Sequence, residues 1–76
     1  MNRYKISGTV THVKLATGFW GIVGDDGQEW RPINMPEQLK LEGRKVKIKA
    51  IGVEEGASIF MWGRPIRILS FHTLSQ

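Results

Sequence analysis

The sequence predicts an all-β fold, a small five-stranded barrel, on three observations. Nine glycines are spread along the 76 residues and separate short stretches rich in Val, Ile, Thr, Phe and Trp, which is typical of strands. No segment keeps a helical period over ten residues. A helix-forming stretch falls between the third and fourth strands, which is where the Greek-key barrel of the OB-fold has its helix. An SH3-like barrel is the alternative, although it usually lacks that helix.

Strand 1 is predicted over residues 5–15. Its apolar positions alternate as far as Val10 and then change phase. Such a change indicates a β-bulge, here near Thr11 and His12, and bulges bend strands around barrels.

Strands 2 and 3 are predicted over 19–24 and 28–33, as a hairpin. The intervening Asp25–Gly27 supplies a glycine for the positive φ that such turns require. A three-residue loop pairs Ile22 with Trp30. This register puts on the inner face Trp20, Ile22 and Trp30, and on the outer face Phe19, Glu29 and Arg31. A two-residue loop would slip the pairing by one residue, and we favour the first register because it collects the larger apolar cluster.

The segment 34–43 breaks the strand pattern and predicts a short helical turn. Asn34 is a candidate cap and Gly43 a candidate terminator, with Leu39 placed under the barrel. Strand 4, over 44–51, alternates strictly, and its outward residues are Lys45, Lys47 and Lys49. These lysines have two interpretations. They could contact phosphates of a ligand, or they could prevent sheet-to-sheet association, as lysines on edge strands do.

Strand 5 is predicted to begin near Ser58, to be interrupted at 63–65 because proline cannot donate to the ladder, and to end before a tail at 72–76. We expect one domain over 1–76 with an ordered core over about 5–71. No apolar run reaches the length of a membrane span, and the amino terminus does not resemble a secretion signal. The sequence therefore predicts a cytoplasmic protein with no membrane association.

Charge is concentrated in the second half of the chain. Residues 1–43 carry five Lys or Arg and five Asp or Glu, whereas residues 44–76 carry six basic residues against two acids, which accounts for the net charge of +4. A basic domain favours polyanionic partners such as nucleic acid. A solubilising charge is the simpler interpretation.

Enzyme chemistry has little support in the sequence. The only imidazoles are His12 and His72, and there are no cysteines, so neither a nucleophile–base pair nor a set of three or four metal ligands is evident. Asp25 and Asp26 precede Gly27, which favours a turn over a catalytic carboxylate pair. The sequence predicts a non-enzymatic module without metal or cofactor.

Single-stranded nucleic acid, RNA or DNA, is the predicted partner, because cations contact phosphates and exposed aromatic rings stack on bases. The candidate contacts are Phe19 and Arg31 on the outer face of strands 2 and 3, with Lys5, Lys14, Arg44, Arg64 and Arg67 around them. The three tryptophans are expected in the core or at its edge.

A protein-interaction or self-association module is the alternative function. The residues of strand 5 are apolar in both phases, so one face would be exposed if the other filled the barrel. The candidate interface consists of Phe60, Trp62 and Arg64, since tryptophan and arginine are favoured interface anchors.

Two resemblances involve the first half of the chain. Gly18-Phe19-Trp20-Gly21-Ile22-Val23 followed by Asp25-Asp26-Gly27 resembles the second strand and turn of cold-shock domains, although this chain lacks their second aromatic at Gly21. The stretch from Gly8 to Glu29 is similar in spacing to bacterial translation initiation factor one. Both resemblances imply an OB-fold.

A third resemblance covers residues 8–68. The runs Ser58-Ile59-Phe60-Met61-Trp62-Gly63-Arg64-Pro65-Ile66 and Trp30-Arg31-Pro32-Ile33-Asn34-Met35-Pro36-Glu37 are similar to small, uncharacterised microbial OB-fold proteins. This resemblance implies a fold and no established activity.

Overall fold

The computed structural model describes residues 2–15, 18–54 and 62–74. Its elements are β1 (Arg3–Val13), β2 (Phe19–Gly24), β3 (Glu29–Pro32), a 3₁₀ turn (Glu37–Leu39), β4 (Lys45–Gly52) and β5 (Arg64–Thr73). The strands close into a barrel in the order β1-β2-β3-β5-β4, which confirms the predicted five-stranded, OB-fold-like barrel with a short helical turn after strand 3. Within the described ranges, no helix has the length and apolarity to cross a membrane.

β1 is the strand that closes the barrel. It pairs antiparallel with β4 from Arg3 to Thr9 and with β2 from Gly8 to Val13, so both ladders share Gly8 and Thr9. A Cβ atom at Gly8 would lie 2.9 Å from the Cα of Gly24 and would overlap the carbonyl oxygen of Val23. Only glycine allows the two strands to approach this closely.

The β2–β3 hairpin has the predicted three-residue register. Ile22 pairs with Trp30, and the Gly24 N–H donates to the Gln28 carbonyl oxygen at 2.8 Å. Gly27 has a φ of 87°, as the turn requires. Trp30 is buried, and Trp20 packs half-buried against the core.

The core fills the barrel from all five strands and from the 3₁₀ turn. It consists of Ile6, Val10, Ile22, Trp30, Leu39, Val46, Ile48, Ala50, Ile66 and Ile68. In β4, buried and exposed residues alternate strictly as far as Ala50, as the sequence predicts. Leu39 is fully buried, because the 3₁₀ turn places its side chain in the core.

The predicted bulge in strand 1 is wrong. β1 pairs with β2 without a register shift through Thr11 and His12, so Val10 and Val13 lie on opposite faces of the strand. Val13 is buried, but it lies outside the core cluster and is paired with Phe19. The change of apolar phase after Val10 therefore arises because one regular strand has buried residues on both of its faces.

A bulge is present in β5 instead. Lys49 pairs with Ser70 and Ala50 with Ile68, which leaves Leu69 without a partner on β4. Leu69 is 54% exposed. The extra residue changes the inward phase of β5, so that Phe71 packs against the core together with Ile68.

The predicted ends of strand 5 also differ from the structure. Pro65 is paired with Arg31 as the second residue of β5, so the predicted interruption at 63–65 lies at the beginning of the observed strand. The predicted tail at 72–76 begins too early, because β5 continues to Thr73 with His72 paired to Lys47. The predicted start at Ser58 lies outside the described residues.

Asn34 joins β3 to β5 and does not cap the helical turn, whose N-cap is Pro36. The Asn34 Nδ2 donates to the Ile68 carbonyl oxygen at 3.0 Å, and the Ile68 N–H donates to Asn34 Oδ1 at 2.8 Å. The side-chain amide therefore provides the two hydrogen bonds that a backbone residue would make at this position.

We expect Leu39→Ala to lower the free energy of unfolding by about 2–5 kcal/mol, because it leaves a cavity in the core. Leu41→Ala is the matched control, since this leucine lies two residues later and is 52% exposed. It should change stability by less than about 0.5 kcal/mol. Urea denaturation measures both, and equal effects would contradict the placement of Leu39.

Candidate nucleic-acid interface

The outer face of the β2–β3 hairpin is shaped by Gly21. A Cβ atom there would overlap the six-membered ring of Trp62 and lie 3.3 Å from the Trp30 carbonyl oxygen. The indole of Trp62 therefore rests directly on the backbone of β2. Glycine inside a strand often marks such a close approach, so this position was a usable signal in the sequence.

Phe19 and Trp62 form an edge-to-face pair on this surface, which we call the aromatic pair. Their ring centroids are 5.7 Å apart and their planes make an angle of 62°. Both side chains are half-buried. The two residues are 43 positions apart in the chain, and the sequence analysis assigned them to two different candidate sites.

Arg31 lies under this surface, and its predicted exposure is wrong. Its residue is only 7% exposed, and its Nε–H donates to the carbonyl oxygen of Trp62 at 3.3 Å. Arg31 thus holds the backbone of Trp62 against the hairpin. The role of Arg31 at this surface is therefore to position the Trp62 indole.

The other predicted contacts are dispersed. Lys14 is exposed just beyond the end of β1, one residue after the Val13 that is paired with Phe19, and its charge acts on the Glu42 carboxyl. Lys5 is also exposed, but it lies eight residues back along β1, about 26 Å from Val13. Arg44 is half-buried, and its Nε is buried without a hydrogen-bond partner.

Arg64 and Arg67 border an open groove of about 800 Å³ that Tyr4 and Glu54 also line. Nη1 of Arg64 donates to the Tyr4 hydroxyl at 3.2 Å, and the Tyr4 ring lies 4.7 Å from that of Trp30. This groove lies at the end of the barrel where β1 begins, and neither Phe19 nor Trp62 lines it. The structure therefore does not assemble the predicted ring of cations around Phe19: Arg31 is buried, and Lys14 follows the residue that is paired with Phe19.

The residues of the predicted alternative protein interface do not lie together either. Trp62 lies on the outer face beside Phe19, whereas Arg64 points to Tyr4 at the end of the barrel. Phe60 lies outside the described residues.

The end of β1 makes a polar contact with the segment that follows the 3₁₀ turn. The backbone N–H of His12 donates to Oε1 of Glu42 at 2.7 Å, and the His12 ring lies 4.9 Å from that of Trp20. The hydrogen bond from His12 lowers the pKa of the Glu42 carboxyl below its ordinary value, and a hydrogen bond with Thr11 adds to the effect.

No group of three or more His, Asp or Glu residues that could hold a metal ion occurs in the part of the chain that the structure describes. The hairpin face instead has the aromatic pair above the buried Arg31, with the exposed Lys14 just beyond the end of β1, which suits a ligand that has both flat apolar faces and negative charge.

Comparison of the chain with family models, with curated proteins and with solved structures gives no match. The resemblances to cold-shock domains, to initiation factor one and to small microbial OB-fold proteins therefore stay predictions.

We expect Glu42→Gln to reduce stability at neutral pH and to have no effect in strong acid. A carboxyl whose pKa is lowered by folding stabilises the fold above its unfolded pKa, and this contribution is lost as the pH falls through the lowered value. Urea denaturation of both proteins at pH 7 and pH 2 measures the difference. Glu29→Gln, at an exposed site on β3, is the charge-matched control, and an equal pH response in the two variants would contradict this assignment.

Proposed function

We propose that the chain is a non-enzymatic, cytoplasmic module that binds single-stranded nucleic acid on the outer face of the β2–β3 hairpin. The aromatic pair on that face carries the proposal. In OB-folds the face of strands 2 and 3, with the loops beside it, is where oligonucleotides bind.

The aromatic pair supplies the stacking surface that a single strand requires. Each base stacked on an aromatic ring contributes about 1–3 kcal/mol, and every base has a π-face, so the contact tolerates any sequence. The resemblance to cold-shock domains lacked a second aromatic at Gly21. The Trp62 ring occupies the space above that glycine, so two adjacent rings are available on β2.

Charge supports the same partner. Lys14 lies exposed where β1 ends, one residue beyond the partner of Phe19, and the net charge of +4 attracts a polyanion at longer range. Glu29 is exposed on the neighbouring strand β3 and would repel a polyanion. The bound nucleic-acid strand is therefore expected to run along β2 toward Lys14. Such binding weakens with salt, by roughly 0.7 in log K per phosphate contact for each tenfold increase in salt.

We expect Phe19→Leu to weaken binding of a short single-stranded oligonucleotide by about 5- to 150-fold, because it removes one stacked ring worth about 1–3 kcal/mol. Phe19→Tyr keeps the π-face and should bind within about twofold of the unchanged protein. Leucine preserves most of the apolar volume, so the pair of variants separates stacking from packing. Fluorescence anisotropy of a labelled oligonucleotide measures the affinity.

Stability is the control for this comparison, and both variants should unfold within about 1.5 kcal/mol of the unchanged protein. Equal affinity of the Leu and Tyr variants for the oligonucleotide would exclude Phe19 as a stacking residue. An affinity that does not change with salt would indicate an apolar protein-binding surface in place of a nucleic-acid site.

A further inference from the structure

The outer face of β1, β4 and β5 carries a second concentration of charge, on strands that do not include the hairpin face. Its outward cations are Arg3, Lys5, Lys45, Lys47, Lys49 and Arg67, all of them exposed. We call this surface the cationic face. It holds six of the eleven Lys and Arg residues of the chain, and β1, β4 and β5 contain no Asp or Glu.

The side chains of the cationic face stand in rows across the three strands. In one row Lys5 is directly opposite Lys49, which is paired on its other side with Ser70. In the next row Lys47 lies between Ser7 and His72. Within the described ranges, no ion pair is formed by any of the six cations.

Two shallow depressions converge on the first of these rows. One, of about 270 Å³, is lined by Lys5, Lys49 and Ser70 together with Lys47 and His72. The other, of about 410 Å³, shares the first three residues and extends toward Arg3. Ammonium groups and a hydroxyl around a concave surface are suitable donors for phosphate oxygens.

Protection of a sheet edge does not account for these lysines. β4 is hydrogen-bonded to β1 on one side and to β5 on the other, so the closed barrel leaves it no free edge to protect. Lys5 and Lys49 face each other directly, which destabilises a sheet when both charges have the same sign. The fold therefore retains an electrostatic cost that a polyanion would relieve.

We propose that the cationic face binds the phosphate backbone of a nucleic-acid duplex, independently of base sequence. From Lys45 to Ile51 the face is about 20 Å long, with strands about 4.8 Å apart. One strand of a duplex presents a phosphate about every 3.4 Å of helix axis, so about six phosphates pass along this length. At the described outward positions of these three strands there is no Phe, Tyr or Trp for unstacked bases, and the one ring is the imidazole of His72, whereas a duplex keeps its bases stacked inside and presents phosphates.

The uneven distribution of charge over the barrel favours binding through the cationic face. Outside the cationic face the chain has five basic residues and seven acids. The turn residues Asp25 and Asp26 line a depression beside Lys5 on the other side of β1. An approaching polyanion is thus attracted to the face of β1, β4 and β5 and repelled at this border.

The test compares two triple variants of the full chain that have the same net charge. Lys5→Gln/Lys47→Gln/Lys49→Gln removes three charges from the cationic face, and Lys14→Gln/Lys40→Gln/Arg64→Gln removes three charges elsewhere. Anisotropy titrations use two 20-base-pair duplexes of unrelated sequence over a range of salt. The first variant should lose about 2.7 from the slope of log K against log salt, since each phosphate contact contributes about 0.9. The second should lose less than one contact, and the two duplexes should bind alike.

Equal losses in the two variants would overturn the proposal, because net charge alone would then set the affinity. Binding of the unchanged protein to vesicles of phosphatidylserine and phosphatidylcholine in equal parts, without binding to duplex, would overturn it in favour of a membrane surface. The thermal midpoint of the first variant should not fall, since the repulsion between Lys5 and Lys49 is removed.

This proposal and the single-strand proposal fail separately. Phe19→Leu should leave duplex affinity unchanged while it weakens the binding of a single-stranded oligonucleotide. Loss of duplex binding in Phe19→Leu would contradict the assignment to the cationic face. An unchanged single-strand affinity in Phe19→Leu would remove the hairpin site and leave the duplex result standing.

Discussion

Gly8 and Gly24 pass each other in paired strands with no side chain between them, and the closure of the barrel depends on this contact. β1 has hydrogen-bonded neighbours on both sides at Gly8, and a methyl group there would collide with the backbone of Val23 and Gly24. Because the sheet closes at this point, each strand is paired on both sides and inward side chains are enclosed. The core and the two outer surfaces follow from that enclosure.

The features that the sequence predicted correctly are local. The register of the hairpin follows from a three-residue turn that ends in Gly27 and from the apolar face shared by Ile22 and Trp30. The inward residues of β4 follow from strict alternation. In these cases the residues that decide the structure lie within a few positions of one another, and period and turn chemistry are sufficient.

The errors concern burial by distant parts of the chain. Arg31 occupies an outward position, as predicted, but Trp62 covers it from 31 residues away. The phase change at Val13 predicts a bulge, but the strand is regular there and Val13 is buried on the outer side, paired with Phe19. Periodicity shows that a residue is buried without showing which surface covers it. The position of Trp62 depends on Gly21 and Arg31 together, and no local pattern in the sequence contains all three.

The order of the strands also has a kinetic consequence. The β2–β3 hairpin closes across three residues, but Lys5 and Lys49 in the β1–β4 seam are 44 positions apart. Loop-closure entropy must be overcome before such distant contacts stabilise the chain, and barrels dominated by non-local pairing fold in milliseconds to seconds. We therefore expect the hairpin to form early and the seam to form late, so that an unclosed sheet with two free edges precedes the native protein.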